Sequence, residues 1–225
     1  MSEEPVRSAV FAPKLSTLSP SQRVLWPQLT QIPETFTLFG GTALAVQRAH
    51  RHSVDFDFFA FEAINPENLL QHLPLLQDCE VVQQQHDTLS VRTAGGEPVA
   101  LSFFGLPDLQ TPAPPRIAAD NGLSVASLQA IAATKASVVQ RRAAAKDYLD
   151  LDELFRAGIT LKAALATART MYGFRFTPEL TLKALCHFDD GDLRSLPAET
   201  RDRLARLAST FDLASLDPPA KGDEQ

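Results

Sequence analysis

Asp55 and Asp57 sit two residues apart in the run Val54-Asp55-Phe56-Asp57-Phe58-Phe59. The run is apolar and strand-like, and side chains at i and i+2 of a strand share a face. Two like charges on one face of an apolar strand repel each other, and each costs desolvation. A divalent cation would neutralise both, and carboxylates completed by substrate phosphates are the usual way proteins hold Mg2+. The plain alternative is a solvent-facing edge strand with two acids. A calcium loop is disfavoured, because its glycine and closing Glu are missing.

Upstream, Gly40 and Gly41 make a tight turn between an apolar strand and a helix opening near Thr42. Without side chains there, backbone N–H groups can approach a phosphate, and the helix N-terminus adds partial positive charge. Alone, Gly-Gly-Thr reads first as a strand-to-helix turn with Thr as cap. His50 and His52 read as loop or phosphate-proximal residues, because no third metal ligand has sensible spacing. Lys135 lies four residues after Ile131 and four before Val139, on an apolar helical stripe. A lysine there must snorkel or meet a charge. With Arg141, Arg142 and Lys146 it forms a run of cations with no acid between Asp120 and Asp147. That run suits an anion-facing surface, or equally a solvated helix end.

The elements that must position these residues follow from pattern. A helix is expected near Ser19–Thr30, a strand at Thr35–Phe39, a helix at Thr42–His50 and a strand at Asp55–Phe59. A helix follows at Pro66–Leu76, then strands at Cys79–Gln85, Thr88–Thr93 and Pro98–Phe104. Ala94-Gly95-Gly96-Glu97 is a hairpin turn by composition. Beyond the proline-rich segment Pro107–Pro115 the chain becomes Ala/Leu-rich. A long helix is expected from Val125 to Arg142 with Ser124 as cap, and a second over Asp147–Arg156, stopping at Gly158. Others begin near Thr160, Thr177 and Pro197.

Strands mixed with helices, then helices alone, predict an α+β chain. The expected domains are an α/β core at 1–115, a helical domain at 116–211 and a disordered acidic tail at 212–225. That tail holds one Lys and four acids, half of the formal net charge of −6. An acidic chain of pI 5.4 does not grip nucleic acid by bulk charge, although a local basic patch remains open. Cys79 and Cys186 have no metal-ligand spacing and read as reduced thiols. The N-terminus lacks a signal-peptide pattern and no run has the length of a membrane span, so a cytoplasmic protein is expected.

Taken together, the Gly-Gly-Thr turn, His50-Arg51, Ser53 and Asp55-x-Asp57 resemble the nucleotidyltransferase superfamily with its polymerase-β-like fold. More narrowly, the chain resembles the AbiEii/AbiGii-type nucleotidyltransferase toxins. Their third motif, a Lys on a helix, is matched by Lys135. Their fourth is matched by Arg142 and Lys146-Asp147-Tyr148-Leu149-Asp150. The resemblance spans about Thr35–Phe155. It implies a mixed sheet with flanking helices and a C-terminal helical bundle.

It also implies an activity, the transfer of a nucleoside monophosphate from an NTP to an acceptor. Gly40, Gly41, Thr42, Arg51, Ser53 and Lys146 would bind the nucleotide. Asp55 and Asp57 would hold Mg2+, with room for two ions. Lys135 would contact phosphate, and Asp147 would complete the catalytic set. Transfer RNA is the first acceptor implied, and an antitoxin the implied partner. The chain departs from the pattern at Ser102, which falls where many relatives of that fold carry a third acid. That departure keeps two alternatives in play: a catalytically degenerate nucleotide or RNA binder, and a small-molecule nucleotidyltransferase of the aminoglycoside-modifying kind.

Overall fold

The computed structural model describes residues 8–110 and 113–216. They form two compact units, residues 8–108 with 113–127, and residues 109–110 with 128–216.

Strict alternation builds the first unit's sheet. In β3 (Asp55–Ala60) the side chains of Phe56, Phe58 and Ala60 are fully buried, while Asp55, Asp57 and Phe59 are half-exposed. The strand β6 (Ala100–Gly105) repeats the pattern with Leu101 and Phe103 inside. Stacked or edge-on rings of Phe56, Phe58, Phe103 and Phe36 fill that inner face. The remaining strands are β1 (Val10–Phe11), β2 (Thr37–Phe39), β4 (Glu80–Gln85), β5 (Thr88–Arg92), β7 (Arg116–Ala118) and β8 (Ser124–Val125). The spatial order is β1-β7-β8-β2-β3-β6-β5-β4, a mixed sheet of eight strands. The helices of this unit are α1 (Pro20–Leu25), α2 (Gly40–Arg48) and α3 (Pro66–His72).

Buried polar side chains fix α2 against the sheet. Gln47 donates to Ala126 O at 3.0 Å and accepts from Arg116 Nη1 at 3.0 Å, tying the helix to both short strands. The lone tryptophan holds the turn between them. Trp26 Nε1 donates to Asp120 Oδ2 at 2.9 Å, and Asn121 Nδ2 donates to Trp26 O at 3.0 Å.

The second unit holds α4 (Leu128–Val138), α5 (Ala145–Arg156), α6 (Leu161–Tyr172), α7 (Pro178–Ala184) and α8 (Ala198–Ser209). Every residue of α4 from Ala130 to Ser137 is buried, which its alanines permit by letting α5 and α6 approach closely. Asp152 on α5 accepts both Nε and Nη2 of Arg203 on α8, at 2.5 and 2.9 Å.

The α+β expectation holds, and several boundaries move. The helix expected over 19–30 ends at Leu25 and continues as a 3-10 turn over Trp26–Gln31, because Pro27 lacks a donor. Pro74 splits the helix expected over 66–76 in the same way. Ser124 is no helix cap: it lies in β8, whose Val125 pairs with Leu38, and α4 starts at Leu128. Residues 116–127, read from sequence as the start of the helical domain, therefore belong to the sheet. Within the expected tail, Leu213–Ser215 form a 3-10 turn capped by Asp212, and Leu216 is buried. The rest of that tail, 217–225, lies outside the described residues. Among the described residues no helix is long and apolar enough to cross a membrane.

Candidate active site

The turn from β2 into α2 brings five of the expected residues together. Gly40 has φ of 73°, and a Cβ there would lie 2.5 Å from Asp57 Oδ2. A Cβ on Gly41 would lie 2.5 Å from Arg51 Nη2 and 3.0 Å from Ser53 Oγ. The two glycines thus leave the space into which Asp57, Arg51 and Ser53 close. Phe39 caps α2 with no side-chain acceptor, so the first N–H groups of the helix, starting at Gly40, have no side-chain partner from the cap. A cationic guanidinium beside the N–H groups of a helix N-terminus is an arrangement that attracts phosphate.

Thr42, expected at the nucleotide, also has a structural task. Its hydroxyl is buried and donates to Asp55 O at 2.5 Å, tying the first turn of α2 to the start of β3. On the neighbouring strands, Asp57 is in register with Ser102, and Ser102 with Ser90. The two serine hydroxyls hydrogen-bond at 3.1 Å. Ser90 was missed from sequence, although alternation along β5 would have placed it on this face.

Two more of the expected residues, Lys135 and Asp147, meet in the helical unit. Lys135 Nζ reaches Asp147 Oδ1 at 2.7 Å and Asp150 Oδ2 at 2.6 Å. Arg142 Nε and Nη2 grip the same Asp147 at 2.7 and 3.1 Å. Lys135 is 6% exposed, and Asp147 and Asp150 are fully buried. Burial alone would raise the Asp147 carboxyl, but the Arg142 hydrogen bond, with the Lys135 charge and hydrogen bond, outweighs it and holds the pKa below 3.8. The spacing of Asp147 and Asp150, three residues apart on α5, puts both on one helix face. That signal could have assigned Asp150 as a partner of Lys135. Lys146 is not in the cluster; its side chain is exposed.

The donors at the strand pair are chemically suited to Mg2+. Asp55 and Asp57 offer oxygens only, on one half-exposed face, with the glycine turn leaving Asp57 uncrowded. Among the described residues no three His, Cys, Asp or Glu side chains are grouped to hold a metal. The residues therefore fit a site that substrate phosphate oxygens and water complete, not a closed protein cage. Ser102 offers a neutral hydroxyl where a second ion would favour a carboxylate.

Comparison with known proteins places the chain in a family and a fold. Residues 28–221 match the family described as nucleotidyl transferase AbiEii toxin, type IV toxin-antitoxin system. An uncharacterized protein of Aquifex aeolicus (strain VF5) is 31% identical over 160 residues, which cover 69% of this chain and 74% of that one. Two solved structures share the fold at 18% identity. One is MenT4, a nucleotidyltransferase toxin of Mycobacterium tuberculosis H37Rv, with a TM-score of 0.57 over 86% of this chain and 83% of that one. The other is an H. pylori protein assigned to the nucleotidyltransferases, with a TM-score of 0.51 over 84% and 91%.

Proposed function

Because the chain belongs to the AbiEii nucleotidyltransferase toxin family of type IV toxin–antitoxin systems, we propose that it moves a nucleoside monophosphate from an NTP to the hydroxyl of an RNA acceptor, a transfer RNA 3′ end first. The observation that carries this is the closing of Asp57, Arg51 and Ser53 around the Gly40-Gly41 turn, Asp57 at Gly40 and the other two at Gly41. Backbone N–H groups of Gly40, Gly41 and Thr42 bind the triphosphate, and Arg51 neutralises it. Asp55 and Asp57 hold Mg2+, which when bound supplies charge neutralisation and orientation of phosphate oxygens. The acceptor hydroxyl gives its proton to solvent water, its oxygen bonds to the α-phosphorus, the bond from that phosphorus to the bridging oxygen breaks, and pyrophosphate leaves. Positioning and charge account for most of such catalysis.

Asp147 is poorly suited to be the base, since Arg142 and Lys135 lower its affinity for a proton and occupy both its oxygens. It anchors Lys135 and Arg142 instead. An antitoxin encoded with the toxin is the expected cellular partner. The test is transfer of label from α-labelled NTP to total RNA with Mg2+. Wild type transfers and Asp55→Ala does not. Equal, negligible transfer by both across all four NTPs would sink the reading.

The Ser102–Ser90 pair favours a second reading, a nucleotide binder without turnover. Mg2+-dependent NTP binding by the wild type with no product would establish it.

A further inference from the structure

Taking RNA as the acceptor, as in the reading above, we propose that the helical unit carries a single-stranded RNA-binding groove centred on Arg141 and Lys183, with Phe174 as its base-stacking surface. A cavity of about 290 Å³ lies there, and Arg141, Arg142, Lys183, His187 and Tyr148 line it, opposed by one carboxylate, Asp190. Gln140 builds it: its Nε2 donates to Thr177 O at 3.0 Å and Thr181 Oγ1 at 2.7 Å, stapling the chain just after α4 to the start of α7. Arg141 and Lys183, one beside Gln140 and one on α7, are both exposed and make no ion pair among the described residues. Arg142 keeps its side chain 54% exposed while its Nε and Nη2 hold Asp147. In a chain of net charge −6 such a cationic lining is not background.

The second observation lies on the connection that leads into α7. Phe174 is 95% exposed, and the Arg175 guanidinium lies 5.8 Å from its ring centre. An exposed aromatic ring beside an arginine is a stacking platform that any base can use, and cations that meet the backbone phosphates complete the pattern for single strands. A free triphosphate calls for convergent N–H donors, as at Gly41. Here the cations come from separate segments along an open groove.

The test is fluorescence anisotropy of the full chain with a labelled, unstructured RNA across a salt series. Arg141→Gln/Lys183→Gln should weaken binding about tenfold and lower the log–log salt slope by about 1.4, two phosphates at about 0.7 each. Phe174→Ala should weaken binding about tenfold with the slope kept, since stacking carries no counterion release. NTP affinity should hold in both variants, and their melting temperatures should match wild type. RNA affinity and slope unchanged in the double variant overturn the proposal. So does loss of NTP affinity in step with RNA affinity, or displacement of RNA by polyglutamate at equal charge. Transfer to RNA with variant-insensitive binding overturns this groove alone. Variant-sensitive binding without any transfer overturns the enzyme reading alone.

Discussion

A methyl group on Gly41 would meet the end of the Arg51 side chain, and one on Gly40 would meet Asp57 in a backbone region that only glycine adopts without strain. The two changes should therefore separate. Gly41→Ala displaces a flexible guanidinium, so NTP affinity should fall about tenfold or more, the loss of one charge-assisted phosphate contact, with the melting temperature nearly kept. Gly40→Ala adds about 1–2 kcal/mol of left-handed strain, which lowers the melting temperature by about 2–8 °C. Thermal melts beside NTP titrations check this, and equal stability loss in both variants would count against it. The glycines and the two aspartates were legible in the sequence because their chemistry requires particular residue types at short spacing. The buried hydroxyl of Thr42 was not, because its partner is a backbone oxygen on another strand. A residue-type pattern cannot distinguish a threonine that meets a ligand from one that ties a helix to a sheet.

At the scale of elements, α4 and α5 are joined by one ionic cluster, Lys135 with Asp147 and Asp150, reinforced by Arg142. Its stability should depend on pH with a definite sign. The Asp147 carboxyl has its pKa lowered by folding, so its contribution is complete above the ordinary value of 3.8 and is lost as pH falls through the lower folded value. Asp147→Asn should cost about 3–5 kcal/mol at neutral pH, because it leaves buried charge less well compensated. The difference between wild type and variant should stay constant down to about pH 4 and narrow below it, as read from urea midpoints. A gap unchanged into strong acid would mean that Asp147 is not held ionised. The helices themselves were legible, since the capping Thr160 and the Thr177-Pro178 opening mark their starts. The pairing of Lys135 was legible only as a puzzle: a lysine on an apolar stripe must meet a charge, and α5 supplies two.

For the whole molecule, the short strands β1, β7 and β8 were the unreadable part. Two or three residues cannot show a period, and their pairing is decided by residues far away, such as Gln47 and Trp26. Their consequence is that β2 has no outer neighbour without residues 124–125. A chain ending at residue 115 should melt without cooperativity by circular dichroism, and one ending at residue 127 should melt as a unit. Similar cooperative melts from both would show that β7 and β8 are dispensable. The same topology sets a clock on the ribosome. Leu38 is made early, but its partner Val125 follows only after the intervening chain has been translated, roughly 4–17 s later at about 5–20 residues per second. Until then the strand that leads into Gly40 has an open edge, so a newborn toxin stays unfinished for most of its own synthesis.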